Sequence, residues 1–131
     1  MKGGRRLLIV LAVFLLGLSS VSVAQADPAP TTVRVSENAQ YVNPGQVNLQ
    51  VTISCTPGFG YFVQASVIQP QGFFQLFGNG FANGLCTGQQ QKIAVPVFAF
   101  GCCWQLGDAV ASVLACAGPC DSHTKAIHIV L

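Results

Sequence analysis

Residues 46–55, QVNLQVTISC, alternate without a break. Val47, Leu49, Val51, Ile53 and Cys55 fall on one side, and Asn48, Gln50, Thr52 and Ser54 on the other. A period of two carried by β-branched residues predicts a strand with one buried face. Shorter signals of the same kind recur along the chain. TTVRVS (31–36) predicts a first strand, with NPGQ as the turn into the second. In that turn Pro44 presets φ and Gly45 accepts positive φ. YFVQASVIQ (61–69) predicts a third strand, with Tyr61, Val63, Ala65 and Val67 on one face. FFQLFGNGFANGLC (73–86) reads as a weaker fourth, with Gly78, Gly80 and Gly84 as bends or bulges. QKIAVPVFAF (91–100) points Ile93, Val95, Val97 and Ala99 inward, and Pro96 in its middle marks an edge or a bulge. GDAVASVLAC (107–116) and HTKAIHIVL (123–131) complete seven strands. No 3.6-residue period with caps follows residue 26. Seven short strands with turns about every ten residues predict an antiparallel β-sandwich, two facing sheets joined as a Greek key.

The N-terminus follows a different pattern. Lys2, Arg5 and Arg6 precede an uncharged apolar run at 7–18, and Ala24-Gln25-Ala26 supplies small residues for a peptidase. Residues 1–26 read as a secretory signal peptide cleaved after Ala26, leaving residues 27–131 as one domain. The apolar run is short against the ~20 residues of a membrane span, so no stable transmembrane anchor is expected. Removing the leader also changes the charge. Arg34, Lys92 and Lys125 remain against Asp27, Glu37, Asp108 and Asp121. That balance offers no basic patch for nucleic acid. The expected location is extracellular or in the cell envelope.

VTISCTPGFGYFVQASVIQ resembles the second and third strands of small secreted immunoglobulin-like domains found as stand-alone proteins in actinobacteria. GNGFANGLCTGQQQKIAVPV resembles the following pair of strands, and GDAVASVLAC with TKAIHIVL the final hairpin. The resemblance covers most of the chain after the leader. It implies an immunoglobulin-like fold and little about activity, since those domains are largely of unknown function. The chain is more distantly similar to the neocarzinostatin-type apoproteins, sandwiches that hold an apolar chromophore in a cleft.

All six cysteines follow the leader, and an even count in an exported chain reads as a disulfide framework. In this topology the second and fifth strands pair antiparallel, which brings the end of one beside the start of the other. Cys55–Cys86 is therefore expected, closing a loop worth roughly 3–4 kcal/mol. Cys116 and Cys120 flank the last turn and are expected to bridge it, with Cys86–Cys116 as an exchange alternative. Cys102 and Cys103 fall at the opposite pole, where a vicinal disulfide, two free thiols or bridges to another chain remain open. CAGPC has a spacing that zinc sites use, but the adjacent pair lies a strand length away, and no metal or other cofactor is expected. His123 and His128, five apart, face opposite sides of a strand.

Catalysis finds no support in the residues. Asp108 reads as a turn cap at a strand corner, no nucleophile motif surrounds any serine, and no catalytic residue is assigned. The aromatic residues are the suggestive feature. Phe62, Phe73, Phe74, Phe77 and Phe81 crowd the third and fourth strands, which bury only alternate positions. Phe62 and one of Phe73 or Phe74 are expected to face outward, and Trp104 to pack under the loop that follows the fifth strand. Packed inward, the rings would form a second core layer or lie under a folded-over loop; an outward cluster would make the domain a binding or interaction module, for a protein or cell-surface partner. The alternative is a carrier of a small apolar ligand in a sandwich cleft, and an exported hydrolase or thiol redox protein is the more remote reading.

Overall fold

A computed structural model describes residues 30–131. The expected leader, residues 1–26, lies outside the described residues. Seven strands run in order: β1 (Thr32–Asn43), β2 (Gln46–Ser54), β3 (Gly60–Gln71), β4 (Phe74–Leu85), β5 (Gln91–Ala99), β6 (Gly107–Cys116) and β7 (Cys120–Val130). The hydrophobic alternation explains most of them. In β2 every second residue from Val47 to Ile53 is buried, and in β3 Val63, Ala65 and Val67 are fully buried. Val95 and Val97 of β5, Ala111 and Ala115 of β6 and Ile127 and Ile129 of β7 fill the same core.

The strand order is β1-β2-β5-β4-β3-β6-β7, and hydrogen bonding continues around it to close a barrel. Two separate facing sheets were expected instead. Two seams make the difference. One is a short ladder between β4 and β5, with Gly78 opposite Ala99 and Asn79 opposite Phe98. The other is a parallel pairing of Asn38–Gln40 in β1 with His128–Val130 in β7.

The first seam depends on glycine. A methyl group at Gly80 would fall on the Pro96 carbonyl oxygen, and one at Gly78 would come within 2.6 Å of the Phe98 carbonyl oxygen. These glycines neither bend nor bulge the strand. β4 pairs with β3 in unbroken register from Gly60–Leu85 to Gln71–Phe74. They remove side chains from the inward face so that two backbones can meet. The β4–β5 ladder stops short of Pro96, which has no N–H to offer it, so at that position β5 pairs with β2 alone.

The second seam explains why β1 is twice the length its alternation suggests. A register shift between Val35 and Ala39 leaves Ser36, Glu37 and Asn38 exposed. This bulge breaks the period of two and redirects the strand toward β7. Before the bulge, β7 side chains take over the backbone bonding. The Val33 N–H donates to Asp121 Oδ2 at 2.9 Å, and the Val35 N–H donates to His123 Nδ1 at 2.9 Å.

Turns close the hairpins. Gly45 does not take the positive φ expected of it. The Asn43 side chain accepts its N–H at 2.9 Å, and this local bond shapes the turn instead. Gly72, with φ of 65°, opens the two-residue β3–β4 turn in the manner of a type II′ hairpin. Asp108 lies in β6 rather than capping a corner, and its Oδ1 accepts a 2.6 Å bond from Nδ1 of the facing His128.

Three disulfides are present, Cys55–Cys86, Cys102–Cys103 and Cys116–Cys120. The first and third lie at one pole. There Gly58 N–H donates to the Cys86 carbonyl and Cys86 N–H to that of Phe59, while the Phe59 ring covers Gly118.

Four variants test these contacts by their stability. Gly80→Ala is expected to cost more than about 2 kcal/mol in urea denaturation, because backbone must move. Gly45→Ala, whose methyl would meet only Asn43 Oδ1 at 3.5 Å, is expected to change stability by under about 1 kcal/mol. The double variant Cys55→Ala/Cys86→Ala is expected to lose roughly 3–4 kcal/mol, and Cys116→Ala/Cys120→Ala about 2, following the lengths of the loops they close.

Candidate functional site

The β4 sequence inverts the usual logic of a half-buried strand. Its inward positions are Leu76, Gly78, Gly80 and Ala82, mostly small, and its outward positions include Phe77 and Phe81. The close seam requires the first set. The second is then left outside the barrel, where the fold has no packing use for it.

The five phenylalanines singled out from the sequence are all exposed. Phe62 is 44% exposed, Phe74 60%, Phe77 42%, Phe81 66%, and Phe73 fully so. They form two groups. Phe62 and Phe81 stack across the β3–β4 ladder with ring centroids 6.1 Å apart. Phe77 stacks on Phe100 at 5.6 Å and 9°, and the Phe100 N–H donates to the Phe77 carbonyl. Phe73 and Phe74 stand apart at the hairpin tip, where the Gly72 turn projects them beyond the barrel. Outward exposure thus extends to Phe77 and Phe81 and to both residues of the tip pair, beyond the two rings expected.

The register of the neighbouring strands widens the face. Phe81, Gln64 and Leu114 lie side by side across β4, β3 and β6, and Phe77, Ile68 and Val110 do so four residues along. Between these rows runs a polar row: Asn79, Ser66 and Ser112, continued by Thr124 on β7. The Ser112 and Thr124 hydroxyls are 3.2 Å apart. Leu114, Ile68, Val110, Phe98 and Phe100 were not singled out from the sequence. Their signal was present, since each is the residue that alternation turns away from the core.

A shallow depression of about 210 Å³ lies over this polar row, lined by Gln64, Ser66, Ser112, Leu114, Ser122 and Thr124. A second, of about 250 Å³, lies nearer the Asp108–His128 pair and includes Pro70, Val110 and Ala126. Neither is lined by a phenylalanine. That hydrogen-bonded pair is exposed and contributes little to stability. No group of three or more His, Cys, Asp or Glu side chains gathers among the described residues. Among the described residues no helix is long and apolar enough to cross a membrane.

The loop carrying Cys102–Cys103 is held at the opposite pole. Trp104 is buried, its main-chain N–H donates to the Pro44 carbonyl at 2.8 Å, and its ring lies against Gly78. Buried Gln69 grips the loop from β3. Its Nε2 donates to the Gln105 carbonyl at 2.8 Å, and its Oε1 accepts from the Gln105 N–H at 3.0 Å. Gln71 adds a bond from Nε2 to the Cys103 carbonyl at 2.9 Å. All six cysteines are paired in disulfides.

Gln69→Leu leaves the Gln105 N–H and carbonyl without partners. It is expected to cost about 2 kcal/mol or more, and hydrogen exchange should show the loss first at 101–106. Compared with models of known protein families and with curated proteins, the chain matches none.

Proposed function

We propose that this chain is an exported immunoglobulin-like domain acting as a binding or interaction module through the aromatic face of β3 and β4. The observation that carries this reading is that Phe62, Phe77 and Phe81 are exposed on strands whose inward positions already complete the core. Exposed apolar patches of several hundred Å² mark contact sites on soluble proteins. The immunoglobulin-like assignment is supported by antiparallel β2–β5 pairing and by the neighbouring β3, β6 and β7. Export is supported by three disulfides, which persist in oxidising compartments, together with the leader-like residues 1–26. A partner would be met outside the cell or in its envelope, and the face needs no cofactor. The carrier reading has less behind it. The two depressions are smaller than the roughly 300–1,000 Å³ of small-molecule pockets, and the phenylalanines do not enclose them.

Serine at Phe62, Phe77 or Phe81, one at a time, tests the reading. Stability in urea is expected to change by under about 1 kcal/mol, while retention on a phenyl matrix at low protein concentration falls. A loss above about 3 kcal/mol would make the rings part of the packed core and end the proposal.

A further inference from the structure

We propose that the outer face of β4, β3 and β6 binds the same face of a second copy of this chain, about a two-fold axis running parallel to β3. This rests on reading the face as a binding surface and names what it binds.

The first argument is charge. In a two-fold contact each group meets its own copy or a symmetry-related neighbour, so a charged face would oppose like with like. The rows from Phe81–Gln64–Leu114 to Phe77–Ile68–Val110 carry no ionisable side chain. The nearest, Asp108 and His128, bond to each other at the rim. The groups of the central row, Asn79, Ser66, Ser112 and Thr124, each both donate and accept. Such groups can pair with copies of themselves, which carboxylates or ammonium groups cannot.

The second argument is the geometry of the rows. An axis parallel to β3, lying between the copies, exchanges β4 with β6 and returns each row to its own level. The polar row then meets the polar row, and each flanking row meets its own copy. Phe81 of one copy falls opposite Leu114 of the other, at the edge of the depression lined by Ser112, Leu114 and Ser122. The depression receives the most exposed of the three rings on β3 and β4 that lie across the face, Phe81.

The third argument is area. Phe62, Phe77 and Phe81, with Phe98 and Phe100 on the adjoining β5 flank, are each about half exposed, and at about 150–250 Å² per ring they present roughly 500 Å². Ile68, Val110 and Leu114, also partly exposed, bring the apolar surface to roughly 700 Å². A standard interface takes about 800 Å² from each partner, and the polar row supplies the remainder.

The test is sedimentation velocity on the protein as purified, with its N-terminus as the producing cell leaves it, and with folding checked by circular dichroism. The wild type is expected to move from one chain mass toward two as concentration rises through the micromolar range. Phe81→Lys and Leu114→Glu are each expected to weaken association at least tenfold. Mixing these two variants places lysine opposite glutamate on one side of the axis and leaves the native contact on the other. The mixture, and the double variant F81K/L114E, are expected to recover association that either single variant lacks. A wild type that stays at one chain mass up to about 1 mM overturns the second copy as partner. If the serine variants above keep their stability in that case, the binding face itself stands. Dimers unaffected by F81K and L114E, or single variants not rescued by mixing, overturn the face and axis named here. Serine variants that unfold make the face structural, and both readings fall.

Discussion

The close approach of β4 to β5 is the contact on which the rest of the architecture turns. Ten-ångström packing between side-chain layers is the usual distance at which sheets meet. Here two strands meet as hydrogen-bonded neighbours, because Gly78 and Gly80 present only backbone to Phe98 and Pro96. That contact closes the sheet on itself, draws Trp104 over Gly78, and fixes which side of β4 looks outward. Once the inward side must be small, the bulk of the strand has one place left to go. The aromatic face is thus a by-product of closure before it is anything else.

The two poles are secured by different chemistry. At one, Cys55–Cys86 and Cys116–Cys120 tie the strand ends covalently. At the other, the Gln69 and Gln71 amides and the Trp104 main-chain N–H hold the loop through hydrogen bonds to main-chain groups. A chain of this size buries a modest share of its surface on folding, and small exported domains commonly lean on covalent ties. The vicinal pair Cys102–Cys103 joins neighbours in sequence and closes almost no loop. Whatever it contributes, it is not chain entropy in the manner of the other two.

The strands were legible wherever apolar and polar residues alternate with the apolar set inside, as in β2, β5 and the second half of β7. The antiparallel pairing of β2 with β5 was expected, whereas the closure of all seven strands into one barrel was not. Two regions resisted for physical reasons. In β1 the bulge at Ser36–Asn38 interrupts the period, so Ala39 and Tyr41 lost their link to Val33 and Val35. In β4 the pattern is inverted, and glycines that permit contact look in sequence like glycines that permit bending. The same inversion hid part of the candidate face. Phe77 and Phe81 drew attention as aromatics, while Leu114, Ile68 and Phe98 passed as ordinary strand residues until register set them side by side.

The capping of β1 by Asp121 and His123 has a consequence for how molecules of this kind can meet. An open strand edge is a template: each chain added exposes another, and growth has no natural end. Here the Val33 and Val35 N–H groups are already occupied by β7 side chains, and Pro96 withholds a donor at the other seam. What the barrel leaves uncovered is a face, and a face that meets its own copy about a two-fold axis is used up by that one contact. Paired in that way, the exposed phenylalanines would be covered without leaving a place for further chains to add.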